Sequence, residues 1–153
     1  MRRAGRIPTG VDRVERAYLT RFLAGDTACF GLVRTAFGYL LLDRQGLQGV
    51  LDRIEGRIAW GDCDRLSWLT APENTIVKRA EADFRRLAVG RSKPWLLRRL
   101  CDKLPDNCTY YNVGHSNLTD RVLSALKGAG VHLAVLIHDV IPLEYPLFQR
   151  TGT

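Results

Sequence analysis

The chain has three histidines, and their positions relative to the apolar runs decide where chemistry is to be sought. His138 ends the run Val131-His-Leu-Ala-Val-Leu-Ile137 and is followed at once by Asp139, then by Val140-Ile-Pro-Leu143. A nearly continuous apolar run bounded by Gly130 and Pro142 predicts a strand buried on both faces, as in a parallel sheet. Ligands of open α/β sheets bind beyond the carboxyl ends of such strands, so His138 and Asp139 are the first candidates for a catalytic pair. Imidazole is the side chain that can both donate and accept a proton near neutral pH, which suits it to bonding a substrate hydroxyl or steadying developing charge. Asp139 can accept a hydroxyl's hydrogen bond or can cap the Val140-Ile-Pro turn. The bland alternative for His138 is a satisfied strand-capping residue.

Asn112-Val-Gly-His-Ser-Asn117 sits at the exit of a second strand-like run, Thr109-Tyr-Tyr-Asn-Val113. Asn112 and His115 can therefore line the same cleft as His138, although a turn residue such as His115 can equally hold the start of the next helix. His132 begins a strand and reads as structural. Gly10 falls at a helix start, where unpaired N–H groups and the helix dipole favour an anion, and Arg13 one turn on can add charge. Neither a G-x-G-x-x-G pattern nor a P-loop lysine is present, so Gly10 is also compatible with a plain helix N-terminus.

These residues need elements to hold them. Val11, Val14, Tyr18 and Phe22, with Leu19 and Leu23 alongside, predict a helix closed by Gly25, with Thr9 or Asp12 supplying the first-turn oxygen. Ala28–Val33 and Phe37–Leu42 lean to β and are separated by three residues, compatible with a hairpin, which is favoured, or with one kinked strand. Leu47, Val50, Leu51, Ile54 and Ile58 keep helical period. Ala59 to Glu73 reads as a loop. Val77, Ala80, Phe84, Leu87 and Ala88 form a third stripe, with Lys78, Arg79, Arg85 and Arg86 on its outer face. Pro94 opens a short helix through Leu100. The last third reads as strand, helix from Leu118 to Ala129 capped by Ser116 or Asn117, and strand, a βαβ unit expected to be parallel and right-handed.

A length of 153 residues accommodates one domain, and 46% apolar with 25% charged residues is ordinary for a globular chain. The net charge of +7 comes from arginines scattered along the sequence and interrupted by acidic residues, without an interleaved stacking platform, which argues against a nucleic-acid partner. Arginine-rich helix faces admit contact with an anionic membrane or a lipid-linked acceptor, or are simply solvated. The four cysteines form no C-x-x-C pair and no zinc-like spacing, so no metal is expected. No apolar stretch follows the basic leader or approaches the length of a membrane span, which predicts a cytoplasmic protein with reduced thiols.

Taken together, Thr9-Gly-Val-Asp-Arg-Val-Glu-Arg-Ala-Tyr18, Asn112-Val-Gly-His-Ser-Asn117 and His138-Asp-Val-Ile-Pro-Leu143 with Tyr145-Pro146 resemble one family. They look like the amino-terminal domain of bacterial glycosyltransferases of family four, also called group 1. The resemblance runs in order through nearly the whole chain. It implies a GT-B architecture, in which two Rossmann-like domains face a cleft, and retaining transfer of a sugar from a nucleotide-diphosphate donor to a glycan or lipid-linked acceptor without a metal or other cofactor. It maps the histidine facing the transferred sugar onto His138 and places the turn at Gly10 near the donor diphosphate. The family carries a strand before the T-G motif and a donor-binding domain after residue 153, so 1–153 is expected to be a single incomplete acceptor-side domain with a mostly parallel sheet and flanking helices. Acceptor choice would then sit in loops such as Ala59 to Glu73. A non-catalytic binding module, or one subunit of a split enzyme, is the alternative reading.

Overall fold

The computed structural model describes residues 10–69, 75–114 and 117–138, which fold as a mixed α/β unit. Helix α1 (Gly10–Ala24) leads into a hairpin of β1 (Gly31–Thr35) and β2 (Gly38–Leu42). Helices α2 (Arg44–Ile54) and α3 (Thr75–Leu87) follow, then the short strand β3 (Gly90–Ser92) and helix α4 (Leu97–Cys101). Strand β4 (Thr109–Asn112), helix α5 (Asp120–Gly128) and strand β5 (His132–Val135) complete the described chain. Among the described residues no helix is long and apolar enough to cross a membrane.

The expected hairpin is present, and a two-residue turn at Ala36-Phe37 leaves β1 and β2 no option but to pair antiparallel. Gly38 makes the pairing with the next strand possible. Its φ is +127°, and a Cβ there would collide with the Ser92 carbonyl oxygen. β3 adds antiparallel to the other side of β2, in the order β1-β2-β3. β4 and β5 form a separate two-stranded parallel sheet, joined through α5. The mostly parallel sheet expected from sequence is thus corrected for the described residues: three of the five strands are antiparallel, because the hairpin and β3 build their own sheet.

β2 is the centre of that sheet, with all five residues buried and Leu42 fully so. Its alternating side chains serve two sides. Tyr39 and Leu41 join Leu97, Leu100 and Cys101 of α4 and Val122, Ala125 and Leu126 of α5 in one core, against which Tyr110 of β4 and Leu133 of β5 also pack. Leu42 lies against Gly46 and Gly31, next to α2. A single apolar core therefore joins the two sheets, each fully buried leucine in it contributing about 2 kcal/mol.

β5 departs from expectation. Val135 remains 46% exposed and Ile137 64%, and its pairing partner is β4, so the apolar run is not covered on both faces. Helix α5 starts two residues later than Leu118. Thr119 is its cap, the hydroxyl accepting from Val122 N–H at 3.4 Å, and Asn117 instead takes a left-handed φ of 64°. Ser116, the other cap candidate, lies outside the described residues.

The third correction concerns charge. Arg85, expected on the outer face of α3, is 3% exposed. Its guanidinium grips Asp64 through two bonds, Nε at 2.7 Å and Nη2 at 2.6 Å, and Nη2 also donates to Ser67 Oγ at 2.9 Å. Asp64 and Ser67 form a capping box around the one-turn 3-10 helix Arg65–Trp68. The Arg85 guanidinium holds the Asp64 carboxyl far below the usual carboxylate range; burial opposes this and the Ser67 hydroxyl and amide reinforce it. One turn away, Asp83 accepts from Arg53, Arg86 and the Gly61 amide at 2.7–2.8 Å. Burial pushes the Asp83 carboxyl up, but those three donors outweigh it and leave it below its ordinary value. The segment predicted as a loop, from Ala59 onward, is thus tied to α2 and α3 by the buried carboxylate of Asp83 and the partly exposed one of Asp64.

Candidate functional site at the strand exits

Parallel strands end on the same edge, and here β4 and β5 carry their pairing to the rim. His132 N–H donates to Cys108 O at 2.9 Å and Leu136 N–H to Asn112 O at 2.9 Å, so the two chains leave the sheet side by side. Two residues beyond Leu136, the half-buried His138 reaches back to β4. Its Nε2 lies 2.5 Å from the Val113 carbonyl oxygen. A carbonyl oxygen only accepts, so Nε2 carries the hydrogen and, in the neutral ring, Nδ1 keeps the lone pair.

The residue after Val113 receives helix α1. At Gly114 the position of a Cβ is taken by the end of the Glu15 side chain, so helix α1 brings that carboxylate directly against the β4 exit. Further along α1, the Phe22 ring meets Tyr111 of β4 with centroids 5.1 Å apart, and Tyr18 stacks behind Phe22 at 6.1 Å. Arg44, at the start of α2, holds the other end of α1 by donating to Leu23 O at 2.6 Å and Thr27 O at 2.5 Å. Arg16 adds an exposed ion pair to Glu55 at 3.5 Å.

The predicted site residues fall out as follows. His138 is at the strand exit, as expected. Asn112 is at the end of β4 but is only 4% exposed, with its amide nitrogen donating to the Tyr110 hydroxyl at 3.2 Å. It therefore braces the rim from inside rather than lining it. Burial pushes the Tyr110 phenol up, opposed by that amide and reinforced by Tyr39 and by the carboxylate of Glu15. Gly10 is the first residue of α1 and exposed, with open space where a side chain would project. Arg13 is exposed one turn further on. Asp139 and His115 lie outside the described residues. Glu15 was not foreseen; a glycine directly after a strand, where a helix must close in, is the signal that points to such a partner.

Among the described residues no group of three or more His, Cys, Asp or Glu side chains is placed to hold a metal ion. Two open depressions lie away from His138. One of about 550 Å³ is bordered by Leu23, Cys29, Phe30 and Arg44, and one of about 380 Å³ by Trp95, Leu97, Arg98 and Arg121. The rim at the strand exits is chemically different from both: His138 bonds to the Val113 carbonyl, and the Glu15 carboxylate reaches the next residue, Gly114. No family model, no curated protein and no solved structure matches this chain.

Proposed function

We propose that the chain is the acceptor-side domain of a retaining glycosyltransferase of the GT-B kind, with His138 facing the transferred sugar. The observation that carries this reading is convergence. The three segments on which the family resemblance rests, at residues 9–18, 112–117 and 138–146, supply Glu15, Val113 with Gly114, and His138 to one edge of the parallel sheet. The ends of parallel strands are where α/β folds place ligands.

In this reading the Val113 carbonyl orients the imidazole at the strand exit. Glu15 supplies a hydrogen-bond acceptor beside it, and Asn112 with Tyr110 stiffens the strand end beneath. Gly10 and Arg13, on the first turn of the same helix, form the side toward a donor diphosphate. A nucleotide-sugar lobe, in the same polypeptide or in a partner, closes the cleft.

The test is release of nucleoside diphosphate from UDP-, GDP- and ADP-linked sugars by the full-length protein. His138→Ala should lower turnover at least about 100-fold, the smaller end of general acid–base effects, with the thermal midpoint unchanged. Wild-type turnover in that variant, or no turnover of any nucleotide sugar by the parent, refutes the proposal.

A further inference from the structure

The 3-10 turn Arg65–Trp68 presents side chains that a folded protein normally hides. Trp68 is 71% exposed and the adjoining Leu69 73%, with Leu66 and Ile76 also exposed beside them. This is not a loose loop end. Ser67, in the middle of the turn, is fully buried, donates from its backbone to Asp64 at 2.9 Å and from its hydroxyl to the same carboxylate at 2.7 Å, and receives Arg85. Leu69 N–H closes the turn on Leu66 O at 3.1 Å. A buried ion pair thus holds the backbone while the largest apolar side chains point outward. Leaving a tryptophan in water forfeits one of the largest hydrophobic contributions a side chain can make, and a contiguous exposed apolar patch marks an interaction surface.

The charges around the patch identify its partner. The Lys78 ammonium sits 5.1 Å from the centre of the Trp68 ring, and Arg65 and Arg79 are exposed on the same two elements. Among the described residues Arg79 lies 3.9 Å from the exposed Asp62, while Asp64, next to Arg65, is engaged by Arg85. Exposed Trp and Leu side chains with a lysine at the indole and arginines on the same two elements match the boundary of a bilayer, where indole lies at headgroup depth and cations meet phosphate. A second copy of the chain fits poorly, since a two-fold interface would set Arg65, Lys78 and Arg79 against their own equivalents.

We propose that the face formed by Leu66, Trp68, Leu69 and Ile76, with Arg65, Lys78 and Arg79, docks on the surface of an anionic lipid bilayer. This inference is independent of the sugar-transfer reading. It is tested by co-sedimentation of the full chain with phosphatidylglycerol vesicles and with phosphatidylcholine vesicles at low salt. Binding to the first and not to the second is expected. Trp68→Ser with Leu69→Ser should lower the partition coefficient at least about tenfold. Lys78→Ser with Arg79→Ser should lower it about thirtyfold, close to fivefold per cation. Both variants should keep the wild-type circular dichroism and thermal midpoint, because the altered side chains lie outside the core. Failure to pellet with phosphatidylglycerol vesicles, or variants that partition like the parent, overturns the proposal. So does a dimer that Trp68→Ser with Leu69→Ser dissolves while no vesicle binding is found, which would assign the face to a second copy.

Discussion

Replacing Asp64 by Asn asks what happens to a guanidinium left in the protein interior with the nearer of its two anions removed, Glu81 remaining 3.5 Å from Nη1. Arg85 is 3% exposed and spends Nε and Nη2 on the two oxygens of Asp64, whose side chain is 28% exposed. Breaking a buried pair by removing one partner costs about 3–5 kcal/mol, and the partial exposure of Asp64 places this case near the lower value. About 3 kcal/mol in a domain of this length corresponds to a fall in melting temperature of roughly 6–12 °C. The side-chain amide can still accept from Ser67, so the loss reports the charge pair more than the cap.

The pH dependence has a definite sign. The folded carboxyl titrates below its unfolded value, so its contribution is present in full above about pH 4 and disappears as pH falls from there toward the folded value. The gap between wild type and Asp64→Asn should be widest near pH 7 and narrow below pH 4. Pairing Asp64→Asn with Arg85→Met removes both charges and keeps most of the volume, and should recover more than half of the loss. Urea unfolding followed by circular dichroism at pH 7 and pH 3 measures all of this. A single variant within about 1 kcal/mol of wild type, or a gap that ignores pH, would refute the account of Arg85 as a buried cation dependent on Asp64.

Other outcomes follow from the same geometry. Gly114→Ala should displace the Glu15 side chain from the β4 exit at little cost in melting temperature, because the atoms it meets are the flexible end of that side chain; calorimetry of the variant decides. Gly38→Ala should cost at least about 2 kcal/mol in urea unfolding, since a side chain there meets both an unfavourable φ and the Ser92 carbonyl. Leu42→Ala, at the fully buried end of the central strand, should cost about 2–5 kcal/mol in the same assay. Ultraviolet titration should show Tyr110 ionising at higher pH than ordinary tyrosine, an effect that Asn112→Ala strengthens, because the amide opposes the influence of burial.

What could be read from sequence was whatever is encoded locally. The stripes at Leu47–Ile58 and Val77–Ala88, the hairpin around Arg34–Ala36 and the strand–helix–strand order of the last third all depend on neighbours within one or two turns, and the elements form there, although α2 stops at Ile54 and the hairpin turn shifts to Ala36-Phe37. β3 was not legible, because Gly90-Arg-Ser92 is too short for any period and pairs only because β2 already stands beside it. Arg85 was misplaced for a related reason. Its position on the helix reads as outward, and the anion that draws it inward lies 21 residues earlier. The run ending at Ile137 announces a need for apolar cover but not whether a neighbouring strand provides it. At the candidate site, the strand exits and His138 were legible from pattern, whereas Glu15 entered only through a tertiary approach to Gly114.

Helix α1 buries none of its side chains completely. Its positions along the body depend on a few polar fastenings, chiefly the Arg44 clasp on Leu23 O and Thr27 O, and on one aromatic row. Segments with so little apolar anchorage open locally at a small fraction of the free energy needed to unfold the whole, so the amides of this helix should exchange with solvent well before those of β2. The carboxylate it carries to the rim is therefore mounted on the most easily detached part of the body, and loosening the tether at Arg44 would change the occupancy of the rim without touching any group that forms it.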